Sequence, residues 1–514
     1  MNRPIQIGIA DYRDKVFACW LGKNIGGTLG APYECNKEMQ TLTFYDPLPD
    51  RSAPNDDLDL QLAWLKCMED RGVHIACGDL ADAWVDYLSA YPWNEYGFCR
   101  RNLGRGLRPP MSGCFENYYI DEMGSPIRSE IWACVAPGDP QLASALAWHD
   151  AVLDHAGGEG LYGEMFWAAL ESAAFVLDDP HTLIRIGLSM IPVWSRISRV
   201  IRDAVWCYDN DVPYKEARQR ILNAFGHHNP CHAPQNHGFT ILGWLYGTDF
   251  GDKLCKAVNC GYDTDCTGAT LGSVLGILGG TAGIPDKWRE PIGEPIVLHK
   301  FTGDCSPPAD VAELTARTEA IARTMLAERS DAAEFADATA ARGGGASLPA
   351  TGKLGTGVPP AAPDDLSTLF RNDRALLALA RDPMAALERV DGYHITLHYH
   401  GEPVLRPGIT KTVSVSLTQD DVPIAIQRAD IAAPEGWNVE PLGVEQGRWR
   451  FALRADNVAD HSELTVTAYC AETSVSAKFA MLGPGDAKGY PCNVNVPRCE
   501  KCGARKEACV CPKP

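Results

Sequence analysis

Long apolar runs are missing from this 514-residue sequence. No stretch of about 18 apolar residues is free of charge, which argues against a membrane-spanning helix. The N-terminal residues also lack the apolar core of a secretory signal, because charged Asp11, Arg13 and Asp14 arrive where that core would continue. We therefore predict a cytoplasmic protein with no membrane partner.

A surplus of basic residues is missing too. Lysine and arginine number 47 against 66 aspartates and glutamates, so the formal net charge is −19. Nucleic acid is bound through basic clusters, and none interrupts this acidity, so no nucleic acid partner is expected. The sequence has no G-x-S-x-G motif, and the glycines of TGKLGTG follow no strand, which argues against a phosphate loop there.

Composition divides the chain into five segments. Residues 1–341 have apolar residues at helical spacing and predict an all-α domain, and 342–363 form a Gly/Pro linker. Residues 364–389 predict a connecting helix. Residues 390–483 hold about seven short strand-like runs at roughly ten-residue intervals, typical of a small Ig-like β-sandwich. The predicted fold class is therefore multidomain, all-α and then all-β, followed by a Cys-rich tail over residues 490–514.

The cysteines fall into two classes. There are 19, an odd total, and in a reducing compartment the scattered thiols are expected to be small core residues. The tail differs, because its spacing C-x2-C-x6-C-x-C can complete a tetrahedral site for a structural Zn2+. The predicted zinc ligands are Cys499, Cys502, Cys509 and Cys511. A tail of unliganded thiols is the alternative.

Small residues mark the first signal of a functional site. Gly22, Gly26 and Gly30 recur every four residues in a predicted helix, so another backbone can approach that face closely. Lys23 lies inside this stripe and argues against packing within a membrane. Tight helix packing in a soluble core is therefore predicted. Glu34 follows on the next turn, either as a functional carboxylate or as a solvated loop residue.

Two acidic turns are the second signal. Asp56 and Asp57 occupy the first turn of a predicted helix, where carboxylates complement the helix dipole. Asp263 and Asp265 alternate just before another helix that has a small-residue face. Paired carboxylates exceed what helix capping needs, and their oxygens are hard ligands that suit Mg2+ or Mn2+. We predict that the two turns meet at one metal centre.

A histidine-rich loop, FGHHNPCHAPQNHG, precedes the second acidic turn. It holds four histidines and a cysteine, but their spacing fits no standard zinc template. We predict that the loop lines a cleft and places His232 or Asn236 near the substrate. A zinc site in this loop is the alternative.

These blocks together resemble the ADP-ribosylglycohydrolase family, which includes the dinitrogenase-reductase-activating glycohydrolases. The resemblance covers about residues 11–290 and rests on GxxxGxxLGxPYE, NDDLDLQLAWL and GYDTDCTGATLGSVLG, in that order. It implies a compact all-α ADP-ribosylglycohydrolase-like bundle in which Asp pairs hold two metal ions in a cleft, commonly Mg2+, with Mn2+ as the other candidate.

The resemblance also implies roles for particular residues. Glu34 and Asp57 are the expected catalytic residues. The expected metal ligands are Asn55, Asp56, Asp57, Asp263, Asp265 and Cys266. Besides His232 and Asn236, the expected substrate-binding residues are Gly124, Ser125, Arg128 and His155.

Two positions depart from the family pattern. Asn55 stands where members usually carry Thr or Ser, and its amide oxygen can still bind a hard ion. Cys266 also stands where Thr or Ser is common, and a thiol is a soft ligand poorly matched to Mg2+. We therefore predict a divergent branch of the family, whose substrate need not be an ADP-ribosylated protein.

The residues and the resemblance predict a metal-dependent glycoside hydrolase. It would cleave an ADP-ribosyl or related N- or O-glycosidic bond, in a small-molecule or protein-linked substrate, with a metal-activated water. Carboxylates suit this reaction because they stabilise the positive charge that develops at the anomeric carbon. The alternatives are a hydrolase of another ribosyl, nucleoside or carbohydrate glycoside, and a non-catalytic ligand-binding module.

Overall fold

A computed structural model describes residues 4–91, 94–336, 367–419, 422–471 and 473–484. The chain divides into two compact units. The helical unit comprises Met1–His74, Asp121–Trp148 and Gly158–Leu379. The mixed unit comprises Ile75–Ile120, His149–Gly157 and Ala380–Pro514. The predicted linker 342–363 and the predicted zinc ligands Cys499, Cys502, Cys509 and Cys511 lie outside the described residues.

Helices dominate the part of the chain before residue 380. The α-helices in the described residues are α1 (Ile9–Gly30), α2 (Asp56–Arg71), α3 (Cys77–Ala83), α4 (Asn94–Gly104), α5 (Met111–Cys114), α6 (Ser129–Val135), α7 (Pro140–Ala151), α8 (Glu159–Ala174), α9 (Pro180–Ser189), α10 (Arg196–Asp209), α11 (Tyr214–Phe225), α12 (Ala233–Tyr246), α13 (Phe250–Asn259), α14 (Thr264–Gly279), α15 (Asp286–Arg289), α16 (Val311–Arg329) and α17 (Asp373–Leu379). Helices α3 to α5 belong to the mixed unit. None of the described helices combines the length and the hydropathy that crossing a bilayer requires.

Strands make up most of the described residues after residue 380. The described strands are β1 (Ile5–Ile7), β2 (Ala333–Phe335), β3 (Ala385–Val390), β4 (Tyr393–His398), β5 (Lys411–Gln419), β6 (Val422–Pro423), β7 (Arg428–Ala432), β8 (Asn438–Glu445), β9 (Arg448–Arg454), β10 (His461–Tyr469) and β11 (Ser474–Leu482). Strands β1 and β2 pair in parallel within the helical unit. Residues 333–335 were expected to be helical, and they extend instead because they pair with β1.

Helices α1 and α14 pack against each other in antiparallel orientation, and glycines allow the close approach. A Cβ atom added to Gly22 would lie 2.1 Å from the carbonyl oxygen of Gly272, and one added to Gly26 would lie 1.9 Å from that of Gly268. No side chain fits at such distances, so the predicted tight packing of the glycine stripe is confirmed. The order of these contacts places the end of α1 beside the start of α14.

The mixed unit contains two antiparallel sheets. One has the strand order β3-β4-β5-β9-β8, with β6 paired to β5, and the other has the order β11-β10-β7. Alternate side chains of both sheets, such as Val413, Val415, Leu464 and Val466, are buried in one hydrophobic core. The predicted fold class is confirmed in that an all-α bundle is followed by a β-rich region of antiparallel sheets.

The end of the predicted connecting helix 364–389 has a different structure. Helix α17 ends at Leu379, and Ala385–Val390 form strand β3, which pairs with β4 through Asp391 and Gly392. Both turn residues have positive φ, 50° and 82°, as an Asp-Gly hairpin turn requires. The helix-favouring composition of β3 is overridden by pairing with β4, and the Asp-Gly pair was the sequence signal for the hairpin.

Replacement of Gly26 by alanine tests the helix contact. Gly26→Ala is expected to destabilise the helical unit by about 1–3 kcal/mol or more, because the methyl group would overlap the Gly268 carbonyl. Gly279→Ala, at the end of α14, is the matched control, since an added Cβ there meets no atom within 4 Å. Urea unfolding followed by circular dichroism measures both. Equal unfolding midpoints for the two variants would contradict the packing described here.

Candidate active site

The contact between α1 and α14 brings two turns together. Gly30 ends α1, and its carbonyl oxygen accepts a hydrogen bond from the Thr264 hydroxyl at the start of α14, at 2.8 Å. Five residues later the backbone N–H of Cys35 donates to the carbonyl oxygen of Tyr262, also at 2.8 Å. The turn that carries Glu34 is therefore fixed against the second acidic turn, which follows Tyr262.

Helix α2 supplies the first acidic turn. Asn55 caps this helix, because its Oδ1 accepts a hydrogen bond from the backbone N–H of Asp57 at 2.9 Å. The Asn55 amide nitrogen faces Gly27, where an added Cβ would lie only 2.1 Å away. Asp57 is fully buried and Asp56 is half-buried. The cap therefore fixes the backbone position of the buried Asp57. Metal binding by Asn55 stays a prediction.

Asp57, Asp265 and Cys266 meet in space, and we call them the acidic group. One ligand atom of each lies within 4.8 Å of the others. Asp57 Oδ2 and Asp265 Oδ1 are buried and accept no hydrogen bond from the described residues. Such oxygens are costly to bury unless a proton or a cation satisfies them. Asp56 and Asp263 adjoin the acidic group along the chain but are not members of it.

Burial and crowding raise the pKa values of these carboxyl groups. Burial raises the pKa of Asp57 to about 7. Burial, followed by the charge of Glu34, raises the pKa values of Asp263 and Asp265 well above their usual range. Partial burial of the Glu34 carboxyl and the charge of Asp56 raise the pKa of Glu34. Burial and mutual repulsion therefore disfavour the ionised forms of these carboxyl groups.

The Cys266 thiol interacts directly with Asp57. Its Sγ donates a hydrogen bond to Asp57 Oδ1 at 3.5 Å. Burial raises the pKa of the thiol well above its usual value, and the nearby carboxylates, with Asp263 the strongest, raise it further. A metal binds a thiolate rather than a thiol, so a group that keeps its proton acts as a donor. Ligation of a metal by Cys266 stays a prediction.

A buried ion pair lies behind Asp57, and it was not identified from the sequence. Lys23 Nζ of α1 lies 2.8 Å from Glu130 Oε1 of α6, and both side chains are inaccessible to solvent. Gln61 of α2 donates to Glu130 Oε2 at 2.8 Å and to the Asp57 carbonyl oxygen at 2.7 Å. The network joins three helices behind the acidic group. The sequence did contain a signal for this pair. A lysine within a closely packed glycine face is expected to be buried, and a lysine is seldom buried without a charged partner.

Asn236, which the structure places in α12 at the end of the histidine-rich segment, contacts the second acidic turn. Asn236 Oδ1 accepts a hydrogen bond from the Asp263 N–H at 3.3 Å, and Asn236 Nδ2 donates to the His232 carbonyl oxygen at 3.0 Å. Asn236 therefore holds the second acidic turn in position. His232 is buried, and burial together with Arg196 lowers its pKa to about 4. Contact of either residue with substrate stays a prediction.

Glu122, His227 and His232 form a second group of metal-ligand type, with ligand atoms within 4.8 Å of one another. Arg196 Nη1 lies 3.0 Å from His232 Nε2, so that nitrogen is the acceptor of the neutral ring. The proton is then on Nδ1, which lies 3.8 Å from Glu122 Oε1. A protonated nitrogen does not bind a metal, and the guanidinium repels a cation. This geometry argues against a zinc site at these three residues, and the cleft-lining role of the loop stays a prediction.

The predicted substrate loop is buried in the structure. Ser125 Oγ donates to Glu164 Oε2, and Arg128 lies 3.9 Å from the same carboxylate and donates to the Gly124 carbonyl oxygen at 2.7 Å. The carbonyl oxygen of Ile127 accepts a hydrogen bond from a side chain of α2. The loop therefore lies against the helix that carries Asp57, while Ser125 and Arg128 face the protein interior. Their substrate-binding roles stay predictions.

Two further polar residues are engaged in local contacts. His155 belongs to the mixed unit, where it is buried with its Nδ1 2.8 Å from Asp154 Oδ1. Its predicted contact with substrate stays a prediction.

Asp59, in the first turn of α2, accepts hydrogen bonds from the His299 N–H at 2.6 Å and from the Thr302 hydroxyl at 2.7 Å. Asp59 therefore fixes the loop that follows α15.

The chain is similar to a solved structure and to a family model. No curated protein matches it. A solved structure entitled "ADP-ribosylglycohydrolase-related protein complex" is similar to it, with a TM-score of 0.42 and 19% identity, over 62% of this chain and 99% of that chain. The family model described as ADP-ribosylglycohydrolase matches residues 9–334, a span that contains both acidic turns. Because that span is more than half of the sequence, the chain belongs to the ADP-ribosylglycohydrolase family.

Proposed function

We propose that the protein is a divalent-metal-dependent hydrolase that cleaves an ADP-ribosyl or related N- or O-glycosidic bond. Membership of its family supports a glycohydrolase activity and implies a glycosyl or ADP-ribosyl substrate. The family is typically metal-dependent. The observation that carries the proposal is the acidic group, in which Asp57 and Asp265 meet although about 200 residues separate them in sequence. Burying two neighbouring carboxylates costs stability, and this cost supports a functional role for the pair.

The donor set suits a hard cation such as Mg2+ or Mn2+. Asp57 Oδ2 and Asp265 Oδ1 are buried carboxylate oxygens to which no donor among the described residues binds, and such oxygens are the preferred ligands of these ions. We propose Asp56 and Asp263, on the same two turns, as further ligands, and Asn55 through the second lone pair of its capping oxygen. When bound, the cation would orient sugar hydroxyls and supply Lewis acidity to water.

Glu34 is the proposed acid/base group. It lies on the turn fixed beside the second acidic turn, and burial together with the charge of Asp56 raises its pKa. A raised pKa makes the carboxylate a stronger base towards attacking water. The anomeric carbon gains positive charge as the glycosidic bond breaks, and the negative charges of Asp57 and Asp265 stabilise it.

Cys266 is proposed to position Asp57 rather than to bind the cation. Its thiol donates to Asp57 Oδ1, which leaves Asp57 Oδ2 for the ion. Because burial raises the pKa of the thiol well above its usual value, the donor persists at neutral pH. The departure from the Thr or Ser expected here therefore preserves a donor and is compatible with a Mg2+ site.

Removal of the Asp57 carboxylate tests the proposed site. Asp57→Asn is expected to lower the metal-dependent release of ADP-ribose from ADP-ribosyl-arginine or ADP-ribosyl-serine peptides by at least about a hundredfold, because several kcal/mol of charge stabilisation depend on the ligand set. Asp70→Asn, on the exposed end of the same helix beside Lys66, is the matched control and should keep the wild-type rate.

An unchanged rate in a folded Asp57→Asn variant would remove the proposed site. If the wild-type protein releases no ADP-ribose from either peptide, while Mg2+ raises its melting temperature and Asp57→Asn abolishes that shift, the ligand-binding module is favoured over the hydrolase.

Metal binding is expected to strengthen as pH rises. The pKa of Asp57 is raised to about 7 without a cation, so the folded chain holds a proton that the unfolded chain releases above about pH 4. Stability without metal should therefore fall between about pH 4 and about pH 7. A cation must displace the proton, so the rise in melting temperature on adding Mg2+ or Mn2+ should be larger at about pH 8 than at about pH 6. A shift independent of pH would contradict this electrostatic description.

Two substitutions distinguish a positioning role of Cys266 from ligation. Cys266→Ser retains a donor to Asp57 and should keep nearly the wild-type rate, whereas Cys266→Ala should lower the rate about threefold to tenfold, as expected for one lost hydrogen bond. Melting temperatures measured with Mg2+, Mn2+ and Cd2+ check the role. A ligating sulfur would give wild type a preference for Cd2+ that Cys266→Ser loses, and that outcome would overturn the positioning role.

A further inference from the structure

Cys35 and Cys231 come together although they lie about 200 residues apart in sequence. Cys35 follows Glu34 on the turn after α1, and Cys231 lies in the histidine-rich loop before α12. Their sulfurs lie within 4.8 Å of each other. Interaction with the Cys231 thiol lowers the pKa of Cys35 below its usual value, and Cys35 Sγ also lies 4.0 Å from Glu34 Oε1. Both residues are thiols in this structure.

Other contacts hold the two loops at this distance. Lys37 Nζ, two residues after Cys35, donates to the carbonyl oxygen of His228, three residues before Cys231. Cys35 has a φ of 66°, which is uncommon for a residue with a side chain, and its N–H is fixed by the bond to Tyr262. The meeting of the two sulfurs is therefore built into the backbone of both loops.

We propose that Cys35 and Cys231 are a redox-sensitive dithiol, which a peroxide converts into an intramolecular disulfide that joins the Glu34 turn to the histidine-rich loop. Cys35 is the attacking thiol, because it is exposed to solvent, and Cys231 is the half-buried resolving thiol. Disulfides of this kind, in reducing compartments, are usually transient sensors rather than structural bonds.

The chemistry balances with one peroxide molecule. The Cys35 thiolate attacks a peroxide oxygen, the O–O bond breaks, and the departing hydroxide takes a proton to become water. The resulting sulfenic acid on Cys35 is attacked by the Cys231 sulfur, so that an S–S bond forms, the S–O bond breaks and a second water leaves. Two thiols are thereby oxidised by two electrons in total, and the peroxide is reduced by the same two.

A second pair of sulfurs shows why distance is not sufficient. Cys19 and Cys134 lie 3.9 Å apart, but both are fully buried, and burial raises the pKa values of both thiols. Buried thiols of this kind are inert towards oxidants. Cys35 combines proximity, exposure and a lowered pKa, and Cys19 has only proximity.

Glu34 completes a group of three possible ligands with the two thiols. A closed structural zinc site takes four ligands, and the described residues bring only these three together at this place. The group therefore favours a dithiol over a structural metal site, and zinc content is measured as part of the test.

Peptide mapping of the full-length protein tests the proposal without a substrate, so its failure is distinguishable from failure of the proposed function. The protein is treated with hydrogen peroxide, alkylated and digested without reductant. We expect a Cys35–Cys231 cross-linked peptide, lighter by two hydrogens than the two separate peptides and lost on treatment with dithiothreitol. In Cys231→Ser the cross-link should be absent, and Cys35 should be trapped as a sulfenic acid by dimedone.

Cys470→Ser is the matched control, because Cys470 is also a partly exposed thiol but belongs to the mixed unit. This variant should form the Cys35–Cys231 cross-link to the wild-type extent. The proposal is overturned if Cys35 and Cys231 remain alkylated while other cysteines are oxidised. It is equally overturned if the purified protein carries stoichiometric zinc that Cys35→Ser loses.

Discussion

The close approach of α1 and α14 is the constraint on which the site depends. Gly22 and Gly26 leave no space for any side chain opposite Gly272 and Gly268. Because the two helices run antiparallel, the same contact brings the last residue of one beside the first of the other. The turn after α1 and the turn before α14 are thereby fixed together, and each carries carboxylates. Packing and chemistry are coupled through one interface, so a change in the glycines would displace the acids as well.

The acidic group is an electrostatic compromise. Burial opposes the ionisation of Asp57 and Asp265, and neighbouring carboxylates oppose it further. The protein offsets part of this with the buried Lys23–Glu130 pair behind α2, whose lysine favours the ionised form of Asp57. The remaining unsatisfied carboxylate oxygens are those that a hard cation would satisfy. This arrangement supports the proposed metal centre, because a bound cation would compensate the buried negative charge.

Much of this site could be predicted from residue patterns, and the exceptions have specific physical causes. The glycine stripe was visible because glycine disfavours a helix, so its recurrence on one face indicates close packing, and the paired aspartates were visible because they exceed what helix capping needs. The roles of Gln61 and Glu130 were not visible, since single polar residues in helices usually face solvent and only the packing of three helices buries them together. Strand β3 was mistaken for helix because pairing with β4 outweighs its composition. Ser125 and Arg128 both contact Glu164 in the structure, and their expected contact with substrate stays a prediction.

The sequence by itself determined the family, the order of an all-α bundle and a β-rich region, and the two acidic turns, because these are recorded in local spacing and residue type. Tertiary structure decided which atoms meet. The proximity of Asp57 to Cys266, and of Cys35 to Cys231, joins residues about 200 positions apart, and no local pattern records such a distance. The shifts in the pKa values of these groups also arise only in the tertiary structure, since a pKa depends on burial and on neighbouring charges that only the folded chain creates.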